Sequence, residues 1–176
     1  MIIFFESFSG LTAGTEYLAA NQHASFYPVR CCGASLPRWE AYGDSVIYWV
    51  YKNPKYAVMI WSGGPNTIIS PTILSSNILG AVYVFDALIG PAVYANWDEG
   101  TIGSDQLRIE ITTAISGALI KRVDLYSGAY DSPSWDFHRA SFSYIGDGTG
   151  DITIKITAAA ASTGRFAGAI TDVQLR

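Results

Sequence analysis

The chain has 176 residues, and its 11 Lys and Arg against 15 Asp and Glu leave a formal net charge of −4. That balance excludes a binder of duplex nucleic acid, which needs a basic stripe to displace counterions from phosphates, and it disfavours anionic membrane surfaces. The length suits one domain over residues 1–176, and a chain only 15% charged but 49% apolar has an exterior suited to touching other molecules.

In chain order, residues 2–8 carry no basic leader and read as a first strand rather than a signal peptide. Residues 10–22 read as a loop or short helix. A second strand is expected over 24–30, followed by Cys31 and Cys32. A disulfide between adjacent cysteines needs a strained ring, and two thiols do not complete a tetrahedral zinc site, so the pair reads as reduced and the chain as folding inside a cell. Further strands are expected over 45–51, 56–61, 67–74 and 81–85. Residues 46–50, apolar on both faces, suit a central strand covered on both sides. The apolar run over 81–95 is interrupted by Asp86, Gly90 and Pro91 and falls short of the roughly 20 residues a spanning helix needs.

The period-two signal is strongest farther on. Residues 106–112 place Leu107, Ile109 and Ile111 on one face and Arg108 and Glu110 on the other, and residues 151–157 do the same with Ile152, Ile154 and Ile156. Strands over 119–126, 140–145 and 166–175 follow, separated by turn signals at 62–65, 131–133 and 146–150. In the last strand Leu175, Val173 and Thr171 share a parity that Ile170 does not, so burying every aliphatic residue requires a bulge near Thr171 and Asp172. About ten short strands without a helical period predict an all-β, antiparallel β-sandwich.

The succession Asn66-Thr-Ile-Ile-Ser-Pro-Thr-Ile73, Val82-Tyr-Val-Phe85, Ser104-Asp-Gln-Leu-Arg-Ile-Glu-Ile111, Trp135, Phe142, Gly150-Asp-Ile-Thr-Ile-Lys-Ile156 and Gly168-Ala-Ile-Thr-Asp-Val-Gln-Leu175 resembles the jelly-roll modules of the carbohydrate-binding and MAM-like type, galactose-binding-like or concanavalin-like. The resemblance implies jelly-roll topology and a structural calcium ion shared by Glu6 and Asp172. Thr171 stands where the family commonly has a second Asp. Asp44 adds a third carboxylate if the chain ends meet, since calcium takes six to eight oxygen ligands.

No catalytic signature emerges. The turn Gly146-Asp-Gly-Thr-Gly150 precedes a strand, so it lacks the helix N-terminus that holds a phosphate. His23 and His138 have no metal-ligand spacing. Asp98 and Glu99, or Asp131 and Asp136, are the carboxylate pairs available for glycoside cleavage, but sequence does not fix their separation. Tyr94, Trp97, Tyr130 and Trp135 combine flat rings with neighbouring acceptors as sugar recognition requires, and form the candidate ligand site.

A domain of secreted type without an export signal is reconciled by a virus particle, whose proteins fold in host cytoplasm and act outside. The expected role is therefore a non-enzymatic virion protein of bacteriophage type, a capsid decoration or a tail or fibre component. It would bind other virion subunits and form a homo-oligomer, a trimer at local three-fold positions, with no required cofactor. The alternative is a glycan-binding module of a secreted or cell-surface protein.

Overall fold

A computed structural model describes residues 1–8, 24–28, 38–42, 46–51, 56–61, 67–74, 76–90, 104–129, 137–159 and 166–176. Among them the chain is entirely β, in twelve strands: β1 (Phe4–Glu6), β2 (Ala24–Pro28), β3 (Glu40–Tyr42), β4 (Val46–Tyr51), β5 (Tyr56–Trp61), β6 (Thr67–Ile69), β7 (Val82–Gly90), β8 (Ser104–Thr113), β9 (Leu119–Ala129), β10 (His138–Ile145), β11 (Ile152–Ala158) and β12 (Phe166–Leu175).

They form two antiparallel sheets. The seven-stranded sheet runs β10-β7-β12-β5-β4-β2 with β1 also beside β12, and the five-stranded sheet runs β3-β6-β11-β8-β9. Residues 46–50, expected as a central strand covered on both sides, form β4 between β5 and β2, and the covering of their faces lies outside what is described. Period-two alternation decides what lies between the sheets. Leu107, Ile109 and Ile111 of β8, Ile152, Ile154 and Ile156 of β11, and Ile68 of β6 are fully buried; they meet Val58, Ile60, Phe85, Ile89, Ile170, Val173 and Leu175 from the other sheet in one cluster.

The bulge in β12 falls where parity demanded it. Thr171 pairs with Leu88 and Gln174 with Asp86, so Asp172 and Val173 together face Ala87 alone, with Asp172 at φ 48°. The extra residue lets Ile170 and Val173 both turn inward. At the same point β12 exchanges neighbours, pairing β5 through Ile170 and β1 from Val173 onward.

Several boundaries differ from expectation: the strand expected over 2–8 is confined to Phe4–Glu6, β9 runs on to Ala129, and β3 lies where no strand was expected. Two further differences have a visible cause. The strand expected over 67–74 ends at Ile69 because Pro71 brings no N–H and Ser70 is engaged across the sheet, its N–H donating to Ile154 O at 2.9 Å and its hydroxyl accepting from Ile154 N at 2.8 Å. Only an isolated bridge from Ile73 to Ile152 continues the line. Conversely, β7 continues past Phe85 to Gly90 through a buried Asp86, whose carboxylate accepts from Arg176 Nε at 2.8 Å. The turn at 146–150 leads directly into β11, and Gly146 is required there: a Cβ would lie 2.2 Å from Ile78 O.

Candidate groove on the five-stranded sheet

If one parity of β8 and β11 faces the core, the other must face outward, and pairing register decides which outward residues become neighbours. One row crosses all five strands as Glu40, Ile69, Lys155, Glu110 and Arg122. The next reads Tyr42, Thr67, Thr157, Arg108 and Asp124, and on the other side Thr153, Thr112 and Leu119 adjoin. Side chains of every strand of this sheet line a groove of about 650 Å³ that crosses it, closed along one flank by residues 70–72 and by Ala114 and Gly117 of the β8–β9 turn.

Hydroxyls and charges make up its floor. Thr112 and Thr153 share a hydrogen bond at 2.9 Å, and Thr113 Oγ1 lies 2.6 Å from Ser116 Oγ. Glu110 is the buried charge at its centre, its side chain 8% exposed. Arg122 donates to Oε1 from Nε at 2.7 Å, with Nη2 at 2.6 Å, while Lys155 Nζ is 3.3 Å from Oε2. Burial pushes this carboxyl up, but hydrogen bonds and charge from Arg122 and Lys155 outweigh it and hold Glu110 below the ordinary carboxylate range. In the adjacent row Arg108 and Asp124 form a two-pronged pair at 2.8 and 2.9 Å. Two half-exposed tyrosines, Tyr42 on β3 and Tyr126 on β9, stand at the sheet edges.

Most residues singled out in the sequence are not among those the structure describes. Tyr94, Trp97, Tyr130, Trp135 and Asp44 fall outside the described residues, as do Cys31, Cys32, His23, Asp98, Glu99, Asp131 and Asp136. The described ends of the segments carrying the four aromatic residues do come together: Ser104 pairs with Ala129, and His138 pairs with Ile89 beside Gly90. The described residues that bound those two segments therefore lie at one end of the sandwich. His138 joins the two sheets there, donating from Nε2 to Tyr126 O at 3.0 Å.

Glu6 and Asp172 are brought near one another, since Glu6 pairs with Val173. Yet Glu6 Oε1 accepts the Phe8 N–H at 2.8 Å and Oε2 faces the Arg38 guanidinium at 3.0 Å. With both oxygens engaged by N–H donors, Glu6 in this arrangement fits a guanidinium rather than a calcium ion. Among the described residues no three His, Cys, Asp or Glu side chains converge as a metal site.

The groove residues were only half visible in the sequence. Alternation marked Arg108, Glu110 and Lys155 as an outward face, but no local signal aligned Glu110 with Arg122 and Lys155. Tyr126 shares the outward parity of Arg122 and Asp124, which was a usable signal. Tyr42 lies on β3, a three-residue strand too short to show a period.

No protein-family profile matches the sequence, and no curated protein is similar to it. Solved structures do resemble it in fold. The CBM22-1 xylan-binding domain of Paenibacillus barcinonensis Xyn10C superposes with a TM-score of 0.55 at 11% identity, covering 100% of this chain and 94% of that one. A CBM4 structure gives 0.55 at 12% identity over 97% and 96% of the two chains. The tandem CBM22-1-CBM22-2 structure from the same Xyn10C gives 0.56 at 11% identity, over 100% of this chain and 46% of that one. The jelly-roll β-sandwich expected from the sequence is thus shown, and these neighbours are carbohydrate-binding modules. The expectation of a virion structural protein of bacteriophage type is corrected by the same finding. That expectation rested on eliminating other sites of action, an argument with no residue or contact behind it.

Proposed function

We propose that this chain is a non-catalytic carbohydrate-binding domain that holds a polysaccharide across the outer face of its five-stranded sheet, a role exercised outside the cell. The observation that carries the reading is the groove itself, which crosses all five strands and is floored by hydroxyl and charged groups suited to sugar hydroxyls. The fold similarity to a xylan-binding domain supports it.

The described groove is poorly arranged for glycoside cleavage. Its carboxylates, Glu40 and Glu110, are three strands apart in one row, about 14 Å at the usual strand spacing, whereas acid and base normally stand about 5 to 10 Å apart. Glu110 is also held ionised by its two cations and is no proton donor at neutral pH. Tyr94, Trp97, Tyr130 and Trp135 are proposed to add stacking rings from the segments whose described bounds lie at one end of the sandwich.

Retardation in native gels containing soluble polysaccharides tests the reading. The wild-type chain should be slowed by at least one polymer, and Thr153→Trp, which places a bulky ring in the groove floor, should abolish the effect without lowering the melting temperature. Free migration in every polymer, or retardation untouched by Thr153→Trp, would exclude this groove as the binding site. A second expectation follows from Arg38 at Glu6. Chelation with EGTA should leave the melting temperature unchanged; a drop restored by added calcium would return the ion to the Glu6 and Asp172 junction.

A further inference from the structure

We infer that the groove takes an anionic polysaccharide, one bearing carboxylate or sulfate groups, held by Arg122 and Lys155 on either side of Glu110. This deepens the carbohydrate-binding reading and rests on it. The described groove lining has three cations, Arg38, Arg122 and Lys155, and two carboxylates, Glu40 and Glu110, but Arg38 is engaged by Glu6, so the rest of the lining is balanced. A local excess of positive charge remains around Glu110, where one carboxylate faces two cations and Glu40 stands two strands beyond Lys155. In the neighbouring row Arg108 and Asp124 neutralise one another, whereas Glu110 alone faces both Arg122 and Lys155.

Glu110 is buried, while the side chains of Arg122 and Lys155 are 50% and 39% exposed, so the carboxylate anchors two cations that solvent and ligand can still reach. Arg122 directs both Nε and Nη2 at the same oxygen, Oε1, and Lys155 directs Nζ at Oε2. A guanidinium has five N–H donors and an ammonium three. The remaining donors meet no acceptor among the described residues. Holding long side chains in place before a ligand arrives removes part of the ordering cost of binding. The two cations lie two strands apart in one row, about 10 Å at normal strand spacing, so an extended saccharide crossing the sheet along that row passes both.

An anionic unit gains charge-assisted hydrogen bonds from a guanidinium or an ammonium.

Titration calorimetry with polygalacturonate, dextran sulfate and xylan, at low and high salt, tests the inference. Expected is binding to one or both anionic polymers in preference to xylan, weakened by salt because exposed charges are screened beyond about 10 Å at 0.1 M. Lys155→Gln, which leaves Arg122 on Glu110, and Arg122→Gln should each weaken that binding about tenfold. Arg139→Gln, on the outer face of the other sheet, should not change it. Preference for polygalacturonate identifies the carboxylate as the recognised group, and preference for dextran sulfate the sulfate. Xylan bound as tightly as either, with Lys155→Gln equal to wild type, overturns the inference and leaves the carbohydrate-binding reading standing. Failure to bind any of the three overturns it too, and free migration in every gel polymer then removes the broader reading as well. Melting temperatures of the variants separate lost binding from lost folding, and the salt dependence of the wild type needs no variant at all.

Discussion

Phe85→Ala is expected to lower the free energy of unfolding by about 3–5 kcal/mol. Phe85 is fully buried at the middle of β7, opposite Phe142 of β10 and Leu175 of β12, with its ring stacked on Phe142 at a centroid distance of 4.9 Å. Three hydrogen-bonded strands hold its surroundings, so the site has little freedom to collapse when the ring is removed, and the cavity adds to the lost transfer energy. Domains of this size are stable by about 5–15 kcal/mol, which makes the loss a large share of the whole. Urea unfolding checks it: the midpoint should fall markedly with the slope unchanged. Phe142→Ala, whose ring is only partly buried, should lose less. A loss below about 1 kcal/mol for Phe85→Ala would mean that the space between the sheets is not close-packed.

Glu110→Ala should lower stability by about 2 kcal/mol, because it removes the carboxylate shared by Arg122 and Lys155. The figure lies below that for a fully buried pair, since both cations are exposed enough to regain water. Acid should reproduce part of this effect. In the folded chain Glu110 is held below its ordinary value, burial being outweighed by Arg122 and Lys155. Asp86 is likewise held low, burial being outweighed by Arg176 and Ser141, and Asp124 by its hydrogen bonds to Arg108. Each of these carboxylates binds its proton more readily in the unfolded chain, so their contribution is complete above the unfolded values, about 3.9 for Asp and 4.3 for Glu, and is lost as pH falls through the lower folded values. The urea midpoint should therefore be flat from neutral pH to about 5 and fall below about 4, with a shallower acid limb in Glu110→Ala. A midpoint that rises on acidification would contradict the ion pairs.

How far the chain could be read in advance differs from element to element. In β8 and β11 every aliphatic residue has the same parity, and the buried faces follow directly. In β12 a break in parity gave the position of the bulge, because a strand with apolar residues on both parities buries them all only by inserting a residue. β7 was foreseen only to Phe85, since Asp86 reads as a polar interruption until Arg176, distant in sequence, is seen to pair with it. β3 is too short to carry a period. The aromatic residues of the expected ligand site lie outside those described, whereas alternation makes Arg108 and Glu110 outward without showing that they border a groove.

What the amino-acid order determined by itself is the sandwich: alternation has a period of two residues, so a short window suffices to separate an inward from an outward face. Only the tertiary structure decided which outward residues meet. Cross-strand neighbours depend on the register of pairings between segments far apart in the chain, and that register is set by the fit of the two inner faces rather than by anything local to Glu110, Arg122 or Lys155. Three charges that the sequence scatters over three strands are thereby gathered into one row, with one carboxylate buried between two reachable cations.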